Sequence, residues 1–206
     1  MILIKNCSII GYNNVTVGVF MSELERFEEK QLSSQNIFDG FILHVRKDTV
    51  SLPDGKEAFR EYIRHTGAVC VVPLTEKREV VCVKQYRYPI GEVTLEIPAG
   101  KLDSKDEDPT DAVLRELREE TGAVCSKLTY LGKFIPSPAI LDECIHMYLA
   151  EELEFGDTDF DDDEFLDIVK IPIEELAGNI VNGKIVDGKT QAAIMRVLYM
   201  LNTRDK

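Results

Sequence analysis

The sequence lacks several features that mark common functional classes. It has no tryptophan, only three histidines and five cysteines, and no two cysteines have the C-x-x-C spacing of zinc or redox sites. An odd number of thiols without such pairs argues against a disulfide framework and favours a reducing compartment. We therefore expect no disulfide scaffold and no cysteine-bound zinc site, and we expect the protein to be cytoplasmic.

Long apolar runs and an excess of positive charge are also missing. The longest apolar stretches, such as residues 67–74, fall far short of the ~20 residues that a membrane-spanning helix needs. Lysine and arginine number 24 against 37 aspartates and glutamates, so the formal net charge is −13. Because a surface of that sign repels phosphate backbones, we expect no nucleic-acid partner and no membrane span. An anionic small substrate remains compatible if bound divalent cations mask the local charge.

The 206 residues have an ordinary globular composition, with 44% hydrophobic and 30% charged residues. Strand-like and helical segments mix without strict alternation, which predicts an α+β class, an α/β/α sandwich with a mixed sheet between helices. Residues 21–36 are polar and charged, and we interpret them as a surface helix or linker. The predicted strands cover 37–52, 58–64, 68–73, 80–86, 94–97, 127–134, 144–150 and 165–171, and helices cover 173–179 and 190–202.

One further helix has ends that can be read closely. Asp108 can cap its N terminus, Pro109 suits the first helical position, and Gly122 suits the left-handed position beyond the last turn. These signals predict a helix over residues 109–121.

Three carboxylates crowd one face of that helix. Glu116, Glu119 and Glu120 stand at i, i+3 and i+4, where side chains are neighbours. Like charges so close together destabilise a helix, and a divalent cation such as Mg²⁺ or Mn²⁺ removes that penalty. The alternative is a solvated acidic face that Arg115 and Arg118 partly neutralise.

Residues 100–123 resemble the Nudix box, G-x5-E-x7-R-E-U-x-E-E-x-G-U, in which U is a bulky aliphatic residue. Six residues instead of five lie between the first glycine and the first glutamate, and Ala123 occupies the last aliphatic position. The insertion falls in a loop, where length changes are tolerated. On this motif the chain is identified as a member of the Nudix hydrolase family. The matching positions are Gly100, Glu107, Arg115, Glu116, Glu119, Glu120 and Gly122.

From about residue 21 to residue 201 the chain is similar to the ADP-ribose pyrophosphatase branch of that family. The similar segments include residues 38–40, 84–87 and 95–100, and Pro138 stands where this branch typically has Ser-Pro-Gly. Here that tripeptide ends in Ala139. The resemblance implies metal-dependent hydrolysis of the pyrophosphate bond of ADP-ribose or a related nucleoside diphosphate sugar, giving AMP and a sugar phosphate.

The resemblance also implies the site residues. Two or three Mg²⁺ or Mn²⁺ ions would be bound by the carbonyl of Ala99 and by the carboxylates of Glu116, Glu119, Glu120 and Glu164. Catalytic roles would fall to Glu119, Glu120, Glu164 and Asp162, the last of which stands where a glutamate general base is common. Substrate contacts would come from Arg60, Glu61, Arg87, Glu96 and Pro138.

Some of these assignments have structural alternatives. Arg87 suits a substrate phosphate because its guanidinium is planar, and it also suits a structural role at a strand end. Glu96 is either a carboxylate on the ligand side or an orienting partner for Arg115. Arg60 and Glu61 either reach a neighbouring subunit's nucleotide or form an exposed strand pair.

The resemblance implies two domains and a homodimer, and residues 1–20 lie outside it. Residues 1–20 form an extension of unknown role, residues 21–65 a small antiparallel β-domain that packs across the dimer, and residues 66–206 the Nudix hydrolase domain. Two other functions compete with the leading one. A pyrophosphatase for another nucleotide sugar or dinucleotide is favoured by Ala139 and Asp162, and a non-catalytic ADP-ribose sensor is disfavoured because the box glutamates are all present.

Overall fold

The computed structural model describes residues 26–159 and 165–204. Asp162, Glu164 and the proposed extension 1–20 lie outside the described residues. Within the described ranges no helix is both long and apolar enough to cross a lipid bilayer. The described residues divide into two compact units, the first containing residues 26–39 and Val45–Glu61, the second containing Gly40–His44 and the described residues from Tyr62 onward.

The N-terminal unit is built on a sheet of three strands in the order β1-β2-β3. These are β1 (Lys30–Asp39), β2 (His44–Ser51) and β3 (Glu57–Arg64). The predicted hairpin between β2 and β3 is confirmed, and the Gly55 N–H donates to the Leu52 carbonyl at 2.9 Å in its turn.

Two expectations for this unit are wrong. Residues 30–36 form a strand instead of a helix or linker, and a turn interrupts the strand expected over 37–52, where the Gly40 N–H donates to the Leu43 carbonyl at 2.9 Å. All ten residues of β1 are exposed. Its sequence therefore carries no alternation of buried and exposed positions. The strand is defined by its pairing with β2, where Gln31 also donates a hydrogen bond to the Asp48 carboxylate at 2.7 Å.

Within residues 62–159 and 165–204, the second unit contains two further sheets and three helices with defined bounds. One sheet is antiparallel in the order β10-β5-β6; the other has the order β7-β4-β9-β8, with β4 and β9 parallel and the outer pairs antiparallel. The mixed sheet confirms the predicted class. The elements are β4 (Ala68–Pro73), β5 (Glu79–Arg87), β6 (Glu92–Glu96), β7 (Ala99–Lys101), α1 (Pro109–Thr121), β8 (Ala123–Phe134), β9 (Ile145–Phe155), β10 (Leu166–Pro172), α2 (Ile173–Val181) and α3 (Gly188–Arg204).

Strand β4 lies at the centre of the sandwich because both of its faces are buried. Val69 and Val71 belong to a core cluster with Val113 and Leu117 of α1. Alternate residues of β4 belong to a second cluster, which includes residues of α2 and α3. The mixed sheet is therefore covered by α1 on one face and by α2 and α3 on the other, which gives the α/β/α layers.

Helix α1 begins and ends as its sequence predicts. The Asp108 carboxylate accepts a hydrogen bond from the Thr110 N–H at 2.8 Å. Gly122 has a φ of 67° and its N–H donates to the Arg118 carbonyl at 2.8 Å. A Cβ at this position would lie 2.4 Å from the Gly156 carbonyl oxygen, so both the backbone angle and the space require glycine here.

Candidate active site

The box carboxylates lie where α1 meets β7. Glu116 and Glu120 are only 9% and 3% exposed, and the Ala99 N–H donates to Glu120 Oε2 at 3.2 Å. A Cβ on Gly100 would lie 2.0 Å from Glu116 Oε1. The Glu116 carboxylate therefore packs directly against the backbone of β7, and a side chain at position 100 would displace it.

Arg115 connects the carboxylates to the loop that precedes the helix. Its Nη1 donates to Glu116 Oε1 at 2.8 Å and to Glu119 Oε2 at 3.3 Å, and its Nη2 lies 3.5 Å from Glu107 Oε1. Burial alone would lower the pKa of Arg115. The charges of the nearby carboxylates, of which Glu116 has the largest effect, outweigh burial and raise the pKa. Glu107 also accepts a hydrogen bond from the Asp103 N–H, so it closes the loop that contains the extra residue.

The residues present fit a hard divalent cation in chemical type. Across residues 26–159 and 165–204, no three His, Cys, Asp or Glu side chains already form a cluster that could hold a metal. Arg115 engages one oxygen each of Glu116 and Glu119. The oxygens are nevertheless the donors that Mg²⁺ and Mn²⁺ prefer, and buried carboxylates need such a compensating charge.

Arg87 and Glu96 form a second charged group in this unit. Arg87 donates from Nε to Glu96 Oε1 at 2.8 Å and from Nη2 to Glu96 Oε2 at 2.7 Å. Glu96 is 3% exposed and also accepts hydrogen bonds from the Thr94 hydroxyl and the Lys189 ammonium. Burial would raise the pKa of Glu96, but these donors, led by Arg87, outweigh it and lower the pKa to about 2. In the structure Glu96 thus pairs with Arg87, and Arg115 pairs with the box carboxylates.

Sequence reasoning missed two residues of this group, Asp187 and Lys189. Lys189 Nζ lies 3.1 Å from Asp187 Oδ1 and donates to Glu96. Burial alone would lower the pKa of Lys189, but the charges of Asp187 and Glu96 outweigh it and raise the pKa. The sequence signal that could have indicated them is Asp187, because an N-cap aspartate accepts a hydrogen bond from the N–H three residues later, here that of Thr190. The helix was instead expected to begin at residue 190.

Two cavities of the second unit adjoin these groups, and each is large enough for a small ligand. The larger, about 770 Å³, is lined by the three helix glutamates Glu116, Glu119 and Glu120 and by Arg87. The smaller, about 470 Å³, is lined by Arg87, Lys189 and Phe134. Ala99 and Gly100 line both cavities, so the backbone beside the carboxylates borders each of them.

Of the remaining predicted substrate residues, Arg60 and Glu61 belong to the N-terminal unit and Pro138 belongs to the second. In the N-terminal unit, Arg60 Nε donates to Glu29 Oε2 at 2.8 Å, and Glu61 lies 3.7 Å from Lys47. Pro138 is exposed in a turn after β8. Pro136, which was not predicted, lines the smaller cavity. The roles of these residues, like those of Asp162 and Glu164 outside the described residues, stay predictions.

Comparisons with known proteins agree with this architecture. Residues 64–190 match the NUDIX domain, and residues 29–63 match the nucleoside diphosphate sugar hydrolase N-terminal domain. The chain is 41% identical over 170 residues to the methanol dehydrogenase activator of Bacillus methanolicus, covering 82% of this chain and 91% of the relative. It is 38% identical over 173 residues to the ADP-ribose pyrophosphatase of Bacillus subtilis strain 168, covering 83% and 93%.

A solved structure shares the fold. The crystal structure of an ADP compounds hydrolase matches with a TM-score of 0.74 at 21% sequence identity, over 86% of this chain and 96% of that one. The sheets and helices that position the carboxylates are therefore those of a known architecture.

Proposed function

The chain belongs to the Nudix hydrolase family, and from that premise we propose that it hydrolyses the pyrophosphate bond of ADP-ribose or a related nucleoside diphosphate sugar, giving AMP and a sugar phosphate. The observation that carries the proposal is the buried pair Glu116 and Glu120, packed against residues 99–100 beside a cavity that also contains Arg87. The similarity to an ADP-ribose pyrophosphatase supports the substrate class.

Four carboxylates and one backbone carbonyl would hold the metal ions. Glu116, Glu119, Glu120 and the carbonyl of Ala99 would bind two or three Mg²⁺ or Mn²⁺ ions, together with Glu164. Such ions, when bound, neutralise phosphate oxygens and lower the pKa of a water.

The protein's own groups would bind the substrate and move the proton. The guanidinium of Arg87 would bind and orient a substrate phosphate, since its planar donors suit two oxygens. Asp162 or a box carboxylate would accept the proton of the attacking water. Arg115 would keep Glu116 and Glu119 in place.

A substrate panel tests the proposal. The panel contains ADP-ribose, other nucleotide sugars, dinucleotides and nucleoside triphosphates. We expect AMP release from ADP-ribose with Mg²⁺ and none with EDTA. Glu120→Gln should lower turnover by about 100-fold, because even residues that only orient metal ligands typically contribute about 10- to 100-fold. Glu174→Gln is the control, since Glu174 pairs with Arg78 at the surface. Unchanged turnover in Glu120→Gln would contradict the ligand assignment.

The same panel separates the competing functions. Preference for a different nucleotide sugar or a dinucleotide would keep the reaction and replace the substrate. Binding of ADP-ribose in calorimetry without AMP release under any metal would indicate a sensor. The homodimer and the cytoplasmic location belong to the proposal as well. Support for a reducing compartment comes from free thiols among the described residues, namely Cys70, Cys82, Cys125 and Cys144.

A further inference from the structure

Two hydrogen bonds connect the first turn of α3 to the end of β6, and a third caps the helix. Asp187 accepts a hydrogen bond from the Thr190 N–H at 2.9 Å, which caps the helix. The Thr190 hydroxyl oxygen accepts a hydrogen bond from the Ile97 N–H at 3.0 Å. Lys189 donates to the Glu96 carboxylate. The start of α3 therefore holds both the backbone after β6 and the buried carboxylate at its end.

Glu96 is shared between two cations, Arg87 and Lys189. The side chain of Lys189 is 12% exposed, whereas that of Arg87 is 41% exposed and borders both cavities. Glu96 engages Nε and Nη2 of Arg87, and among the described residues no hydrogen bond to its Nη1 is found. Arg87 is thus held by two nitrogens and has a third available to a ligand.

The balance of charge in this group depends on Lys189. With Asp187 and Glu96 on one side and Arg87 and Lys189 on the other, the four side chains sum to zero formal charge. Without the ammonium the group carries one net negative charge, and Arg87 is the one cation of the described chain left beside Glu96, which keeps the hydrogen bond from the Thr94 hydroxyl. An anion approaching Arg87 would then meet a weaker field, and the guanidinium would be held less firmly in orientation.

We infer that Lys189 is a positioning residue for Arg87, acting through Glu96 so that the guanidinium is oriented and its charge is available to a phosphate of the substrate. The inference rests on the proposed function, because it takes the ligand of Arg87 to be a nucleotide phosphate. It adds a residue of α3 to the group formed by Arg87 and Glu96.

Lys189→Met tests the inference, since it removes the ammonium and keeps an apolar stem. We expect KM for ADP-ribose to rise about tenfold, equivalent to ~1.4 kcal/mol, with kcat changed far less. Lys189→Arg should restore most of the loss because it keeps the charge. Lys127→Met is the matched control, since Lys127 forms an ion pair with Glu151 at 2.8 Å in another part of the unit. Lys189→Gln provides a second uncharged variant should the Met variant fail to fold.

A double-mutant cycle separates positioning from a structural role. If Lys189 acts through Arg87, adding Lys189→Met to Arg87→Met should raise KM little further. Additive effects of the two changes would overturn the inference. So would a Lys189→Met variant that loses thermal stability but keeps the wild-type KM.

Calorimetry with ADP in the absence of metal distinguishes this inference from the proposed function. A roughly tenfold loss of ADP affinity in Lys189→Met supports the inference even if no substrate of the panel is hydrolysed. Wild-type hydrolysis together with unchanged ADP affinity and unchanged KM in Lys189→Met overturns the inference and leaves the proposed function intact.

Discussion

The N-terminal unit and the second unit stabilise their strands in different ways. Every residue of β1 is exposed, and Phe38 and Phe59 are 56% and 65% exposed. Every residue of β4 is buried, with Val69 and Val72 fully inaccessible. Among the described residues of the first unit only Asp48 and Val50 are buried, so its strands have little apolar packing, whereas the mixed sheet of the second unit has a packed core on both faces. The carboxylates and the Arg87 group lie in the second unit, where a rigid support can hold charged side chains in fixed positions.

Core truncation should show the largest difference between the units. Leu117 of α1 is fully buried, so Leu117→Ala should destabilise the protein by about 2 to 5 kcal/mol. Phe59→Ala in the N-terminal unit should change the free energy of unfolding by only about 0.5 kcal/mol, because the ring is mostly exposed. Urea unfolding of both variants measures the contrast. Equal losses would show that the exposed strands have a core of their own.

Acid titration should sharpen the same contrast for charged groups. The pKa of Glu96 in the folded state is about 2, below its ordinary 4.5, so its contribution to stability is complete above about pH 4.5 and is lost as the pH falls through about 2. That contribution is at most about 3 kcal/mol. Glu96→Gln should remove this part of the pH dependence in unfolding measured from pH 6 to pH 2.

The matched control lies in the N-terminal unit. Glu61→Gln removes an exposed ion pair with Lys47, which solvent screens, so its unfolding curve should follow the wild type at each pH. A Glu96→Gln variant with the wild-type pH dependence would contradict the network around Arg87.

The smallest effect concerns association. Because Ile37 and Phe38 at the end of β1 are exposed, we expect a second copy to cover them in a homodimer. Sedimentation should give close to twice 23.3 kDa, and Phe38→Asp should weaken association roughly tenfold (~1.4 kcal/mol). Lys56→Ala, at an exposed turn position, is the control. A wild-type mass that stays at 23.3 kDa through a dilution series would oppose the dimer.

The predictions from sequence succeeded where local chemistry determines the structure. Asp108 and Gly122 fix the ends of α1, and the spacing of the glutamates places them on one face; the caps are confirmed. The strand β1 was missed because its polar residues carry no burial pattern, and its pairing with β2 is a tertiary choice.

The site was harder to predict than the helix. Lys189 is 93 residues from Glu96 along the chain, and no spacing rule connects positions so far apart. The family motif led to Arg87 and Glu96 separately, but their bidentate pairing depends on the antiparallel register of β5 and β6. Long-range pairings of this kind follow from packing, which sequence periodicity does not encode.

Two backbone hydrogen bonds connect the end of α1 to the segment after β9 and can be followed by hydrogen exchange. The Gly156 N–H donates to the Gly122 carbonyl at 2.7 Å, and the Asp159 N–H donates to the Glu119 carbonyl at 3.1 Å. Both amides belong to the segment after β9, yet both acceptors belong to the end of the helix that bears the glutamates. Hydrogen-exchange rates at these two amides, compared with and without a bound nucleotide, therefore measure how stably the end of that helix is held.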